Sequence, residues 1–210
     1  MKTLKAIGDR LVVWYLTIYY ILKISLYRLV IGRFAPADVL YESLRPDIIL
    51  KLYGAKVGKN VRITRFLVLH SIKKDFSNLT IGDDVHIGRN AFIDLMGKVT
   101  IGNRVNIGMY ARVYTHFDVG HSRLVDSYPP MQGDIVIPDD TVIGSSAVLI
   151  FPFSFPGGTF VAAGSVVRGH YKKPSLLLGN PARPTLLRSI QKTGNEQDET
   201  HQYTTTNRTK

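Results

Sequence analysis

Ile81-Gly82-Asp83-Asp84-Val85-His86-Ile87-Gly88-Arg89-Asn90-Ala91-Phe92-Ile93, followed by Ile101-Gly102-Asn103-Arg104-Val105-Asn106-Ile107-Gly108, repeats one pattern every six residues. An aliphatic or aromatic residue leads each hexad, and the series extends both ways. It runs Val57, Ile63, Leu69; Ile81, Ile87, Ile93; Ile101, Ile107, Val113; Ile137, Ile143, Leu149; and Phe155, Val161, Val167. Glycine often follows the lead, at 58, 82, 88, 102, 108 and 144. Small or β-branched residues recur four places after it, as in Val85, Ala91, Val105, Ala111, Thr141, Ala147, Thr159 and Ser165. An amphipathic helix would need spacings of three and four, and plain strand alternation would not demand glycine at one phase of six. The period predicts a triangular coil: each hexad is a short strand plus a corner, and three hexads close one turn. The lead side chain then points inward and stacks on its equivalent one coil away. The glycine is expected to relieve the corner backbone through a positive φ. Such coils bury their apolar interior only by stacking. The breaks at 70–80, 94–100 and 114–136 are expected to be loops that leave the coil, where function concentrates.

The segments Ile81 to Val85, Ile101 to Val105, Ala163-Gly164-Ser165-Val166-Val167 and Gly179-Asn180-Pro181-Ala182-Arg183 resemble the hexapeptide-repeat acyltransferases, in particular the sugar O-acetyltransferase branch. The resemblance covers roughly residues 54 to 188. It implies a mainly β chain: a left-handed parallel β-helix of about five triangular coils, with N-terminal helices, assembled as a homotrimer. Active sites would lie between neighbouring subunits. The activity implied is transfer of an acetyl group from acetyl-CoA, a co-substrate, to a hydroxyl of a sugar or glycan in surface-polysaccharide or lipid-linked glycan synthesis. No metal is implied.

Acyl transfer to a hydroxyl calls for a base and for donors to the oxyanion, and histidine suits the first role. Six histidines are available: His70, His86, His116, His121, His170 and His201. His116 opens the longest loop, in Tyr114-Thr115-His116-Phe117-Asp118, where the resemblance places the general base. His121, five residues on, is the competing candidate and otherwise an acceptor contact. Asp94, one coil earlier, is expected to face the acceptor. For coenzyme A the resemblance implies contacts at Ser145, Ala163 and Arg183. Arg168 keeps, one place displaced, a basic residue usual in relatives. Phe151, Phe153 and Phe155 replace an aliphatic stretch and read as core, with an apolar wall for the pantetheine arm as the alternative.

The chain has 210 residues, no cysteine and a net charge of +11. Disulfides and thiolate metal ligands are thereby excluded, and an anionic partner is suggested. No nucleic-acid-binding module is evident. Residues 1–53 read as an N-terminal helical segment in which Lys2, Lys5, Arg10, Lys23, Arg28 and Arg33 border an aromatic-rich apolar run. That pattern suits a membrane surface through residues 1–33; packing against the trimer base and a true span are the alternatives. No cleavage site for a signal peptide follows the apolar stretch, so a cytoplasmic protein, peripheral on the inner membrane face, is expected. A short helix should run from Pro46 to Tyr53, closed by Gly54. Residues 189–210 are polar and read as a disordered tail. Two rival functions remain open: a γ-class carbonic anhydrase-like zinc enzyme using His86, His116 and His121, and a non-catalytic trimeric membrane scaffold.

Overall fold

The chain was analysed as a computed structural model, which describes residues 2–31, 36–72 and 74–185. The expected tail, 189–210, lies outside the described residues. From Lys56 onward the chain is built of short strands that enter three sheets in rotation. The first sheet holds Lys56–Val57, Leu79–Ile81, Val99–Ile101 and Ile135–Ile137. The second begins with Arg62–Ile63 and continues through His86–Ile87, Asn106–Ile107, Val142–Ile143 and Phe160–Val161 to Leu176–Gly179 and Ala182–Thr185. The third holds Val68–His70, Phe92–Asp94, Arg112–Tyr114, Val148–Ser154 and Val166–His170. Every pairing in these sheets is parallel except the last in the second, where Ala182–Thr185 runs antiparallel to Leu176–Gly179.

The register places lead on lead. Val57, Ile81, Ile101 and Ile137 align in the first sheet. Ile63, Ile87, Ile107, Ile143 and Val161 align in the second, and Leu69, Ile93, Val113, Leu149 and Val167 in the third. All are buried except Val57 and Ile63, which are half-buried in the first turn of the column. Complete burial of each aliphatic lead contributes about 1.5–3 kcal/mol. The fourth-position residues Val85, Ala91, Val105, Ala111, Thr141, Ala147, Thr159 and Ser165 are buried beside them. The three hydroxyls among these are bonded: Thr159 Oγ1 donates to Pro156 O at 2.6 Å, Thr141 Oγ1 to Asp139 O at 3.5 Å, and Ser165 Oγ accepts from Gly179 N at 3.0 Å.

The glycines act differently from expectation. None of those directly after a lead has a positive φ. That conformation falls three residues after the lead, on Asn60, Asp84, Asn90, Arg104, Tyr110, Asp140 and Ser146. What glycine supplies is clearance: a Cβ on Gly108 would lie 2.5 Å from Ser145 N, in the backbone of the next turn. The corners are tied by a side-chain ladder. Asp83 accepts from Lys59 N at 2.7 Å, Asn103 Oδ1 from Asp83 N at 2.8 Å, and Asp139 from Asn103 N at 2.8 Å.

Three helices precede the column: α1 (Lys2–Ile31), α2 (Pro36–Glu42) and α3 (Pro46–Leu52). Pro46 starts α3 where its missing N–H costs nothing, and Gly54 follows at φ +97°. α3 packs on the first strands and so covers one end of the column. Tyr20 and Ile24 of α1 are buried, and Ser43 Oγ donates to Tyr20 Oη at 2.7 Å. The opposite face of α1 exposes Leu11, Trp14, Tyr15, Ile18, Leu22 and Leu29. Among the described residues no helix is long and apolar enough to cross a membrane.

Candidate active site

The third sheet ends at the corner from which the long excursion departs, and there the sheet register assembles a cluster. His70 and Asp94 are partners on neighbouring strands. Two residues past the next strand's lead, Thr115 is buried, and His116 begins a short antiparallel ribbon: His116–Phe117 pairs with Met131–Gln132. The excursion is therefore pinned at its base, and it carries a 3₁₀ turn, Arg123–Asp126, farther out.

Asp94 is completely buried. Its Oδ2 accepts from Thr115 N at 3.0 Å, from the Thr115 hydroxyl at short range, and pairs with His116 Nδ1 at 2.6 Å. Thr115 Oγ1 in turn accepts from Gly97 N at 3.1 Å. Burial by itself would raise the Asp94 pKa, but the hydrogen bonds from Thr115 and His116 lead the effects that outweigh it and hold the group at about 2. Asp94 is thus a carboxylate at neutral pH. It fixes the tautomer of His116 with the proton on Nδ1, leaving Nε2 as the free basic nitrogen. The His116 side chain is 23% exposed and borders a cavity of about 320 Å³ with Met96, Phe117, Asp118, Met131 and Gln132. A partly exposed imidazole backed by a buried carboxylate can take a proton from a bound hydroxyl and return it.

Asp94, expected to face the acceptor, has no solvent-accessible surface in the structure, and its carboxylate pairs with His116. His121 is exposed on the excursion and is not among the residues that line this cavity. His70 was not singled out by the sequence. Its Nδ1 lies 3.5 Å from Asp94 Oδ1 and 2.7 Å from Ser71 Oγ. The signal was available: His70 and Asp94 both follow a lead and are one coil apart.

The other expected residues fall in two places. Ser145 and Ala163 occupy the same corner on successive turns, between the second and third sheets. Gly164 N donates to Ser145 O at 2.9 Å, and a Cβ on Gly144 would collide with Ala163 N. Arg168 and Arg183 come together across a cavity of about 460 Å³ that His170, Tyr171, Lys172 and Lys173 also line. Four basic side chains around one hollow, with no carboxylate among the described residues that line it, suit a polyphosphate. Phe153 and Phe155 are buried and stacked, with centroids 5.5 Å apart, whereas Phe151 is half-buried against Gly133. His86 sits on the second sheet, 3.3 Å from Asn106 Oδ1. Among the described residues no three His, Asp or Glu side chains converge as a metal site.

No family model matches the chain. Solved structures do. A hexapeptide-repeat-containing acetyltransferase from Vibrio cholerae is 27% identical, with a TM-score of 0.61, over 80% of this chain and 93% of that one. In its complex with acetyl-CoA, the same acetyltransferase matches at 25% identity and a TM-score of 0.62, over 77% and 87%. A maltose O-acetyltransferase from Clostridium difficile 630 shares the fold at 20% identity and a TM-score of 0.55, over 72% and 81%. In structure the chain is similar to the hexapeptide-repeat acetyltransferases.

Proposed function

We propose that the protein is a coenzyme A-dependent O-acetyltransferase whose acceptor is a hydroxyl of a sugar or glycan, with His116 as general base. The observation that carries this reading is the buried Asp94 carboxylate, which orients His116 at 2.6 Å beside an open cavity. The Vibrio cholerae neighbour has been seen with acetyl-CoA, and the Clostridium difficile neighbour is described as acting on maltose. Arg168, Lys172, Lys173 and Arg183 would hold the phosphates, while the Ser145–Ala163 corner would run beside the pantetheine arm.

Acetyl-CoA supplies an already activated acyl group, so no enzyme nucleophile is required. His116 Nε2 accepts the proton as the acceptor oxygen bonds to the thioester carbonyl carbon. Backbone N–H groups stabilise the oxyanion. On collapse the carbon–sulfur bond breaks, and His116 returns the proton to the departing sulfur, giving the acetyl ester and free thiol.

His116 stands at the corner between the third and first sheets, whereas Ser145 and Ala163 stand at the corner between the second and third. One chain therefore does not bring both halves to one seam, and a left-handed, five-coil homotrimer in which neighbours meet corner to corner would. The exposed apolar and aromatic face of α1, with Trp14 and Tyr15 on it, supports a peripheral seat on a membrane surface. The test is thiol release from acetyl-CoA across a panel of sugars, with wild type and His116→Ala. Acceptor-dependent release that vanishes in the variant is expected; equal release by both would overturn the assignment.

A further inference from the structure

The corner that carries Ser145 and Ala163 continues toward the N-terminal end of the column. Two residues after each lead of the second sheet, the series reads Arg65, Arg89, Met109, Ser145, Ala163. Backbone contact along it is continuous: a Cβ on Gly88 would lie 2.6 Å from Met109 N, and one on Gly108 2.5 Å from Ser145 N. The two arginines thus lie on the line of the seam that would take the pantetheine arm, beyond its small and apolar stretch.

Their arrangement is specific. The Arg65 Cζ lies 5.5 Å and the Arg89 Cζ 5.4 Å from the centroid of one ring, Phe66. Phe66 itself is held at φ +69°, its N–H donating to Tyr41 O at 2.9 Å and its ring 5.1 Å from that of Tyr41. A guanidinium that gives its face to a ring keeps its in-plane N–H donors free. Both side chains are exposed, and neither takes part in an ion pair among the described residues. Two like charges on one ring repel, so the arrangement favours an anion between them. A cavity of about 460 Å³ opens there, lined by Arg65, Arg89, His86, Thr64, Leu44 and Met109. The adjoining hollow reaches α1 at Tyr19 and Lys23, and Glu42 is the one acidic residue in its lining.

We propose that Arg65 and Arg89, set by Phe66, bind a phosphate or diphosphate group of the acceptor, which makes the acceptor a phosphate-bearing sugar rather than a free one. The proposal rests on the acetyltransferase reading for the word acceptor, but not for the anion site. Acetyl transfer then occurs between two anionic anchors: the donor's phosphates at Arg168 and Arg183, and the acceptor's phosphate at Arg65 and Arg89.

Isothermal titration of the full chain with inorganic pyrophosphate tests the site. Wild type and Arg168→Gln/Arg183→Gln should both bind it here. Arg65→Gln/Arg89→Gln should lose roughly tenfold or more in affinity at this site, since two charge-assisted contacts disappear. Arg65→Lys/Arg89→Lys should fall between, keeping charge without the planar fork. Equal binding by wild type and the Gln pair, or none by either, overturns the proposal. Titrating acetyl-CoA on the same proteins separates the two readings: its affinity should be unchanged in the Arg65/Arg89 variants. Failure of acetyl-CoA to bind wild type would end the acetyltransferase reading and leave the pyrophosphate result standing. Two further arms assign the source, uridine diphosphate glucose in solution and phosphatidylcholine vesicles carrying a polyprenyl diphosphate. Arginine-dependent binding in either arm names it, and binding in neither removes the acceptor role.

Discussion

The imidazoles of His70 and His116 lie parallel, 4° between planes and 6.3 Å between centroids, with one buried carboxylate between their Nδ1 atoms. Asp94 Oδ2 is committed to His116 and Thr115, whereas Oδ1 has no hydrogen-bond partner, and its nearest basic nitrogen is His70 Nδ1 at 3.5 Å. The two rings are therefore unequal. His116 is braced, and His70, with 59% of its side chain exposed, is only adjacent. His116→Ala should lower acetyl transfer by about 10²–10⁴-fold. His70→Ala should cost less than about tenfold, and His121→Ala should be neutral. Steady-state kcat on one acceptor checks all three, and full activity in His116→Ala would move the base elsewhere.

Asp94 links the site to pH. Its folded pKa, about 2, lies below the ordinary 3.8, so ionisation stabilises the folded state. That contribution is complete above 3.8 and is lost as pH falls from 3.8 to about 2, and it is on the order of 2 kcal/mol. Asp94→Asn should flatten this acid limb of stability in urea titrations. It should also lower kcat by roughly 10²-fold through loss of the His116 tautomer, with little change in the acetyl-CoA affinity.

Glycine substitutions separate clearance from backbone freedom. Gly108→Ala drives a methyl into the Ser145 backbone, where no rotamer can relieve it, and should destabilise by at least about 1–3 kcal/mol. Gly164→Ala meets no atom within 4 Å and suffers only from its φ of +69°, a cost of about 1–2 kcal/mol. Thermal unfolding of the two variants should rank Gly108→Ala as the more damaging, and the reverse order would refute the close-approach account.

Neutralising the cavity near the C-terminal end of the column should weaken donor binding. Arg168→Gln/Arg183→Gln is expected to raise the Kd for acetyl-CoA about tenfold or more and to reduce its dependence on salt. Unchanged affinity would place the donor phosphates elsewhere.

The column could be read from the sequence because its inward leads repeat at fixed spacing, and the burial of Ile81 to Val167 follows that spacing. The start of the long excursion was equally legible, since the period stops at Val113 and resumes at Ile137. The Asp94–His70 relationship was legible only once the coils are aligned across the 70–80 break, since each residue follows a lead and the two are one coil apart. Gly88 and Gly108 were read for φ, whereas their role lies in the next turn's backbone. The Arg65–Phe66–Arg89 stack escaped notice for the same reason: it joins two hexads that lie 24 residues apart.

Parallel strands present the same unsatisfied edge at each end, and a stack of identical turns has no intrinsic reason to stop. Here α3 closes one end, and the reversed strand Ala182–Thr185 occupies the far edge of the second sheet. These two stoppers turn what would otherwise be the start of a fibre into a particle of fixed height.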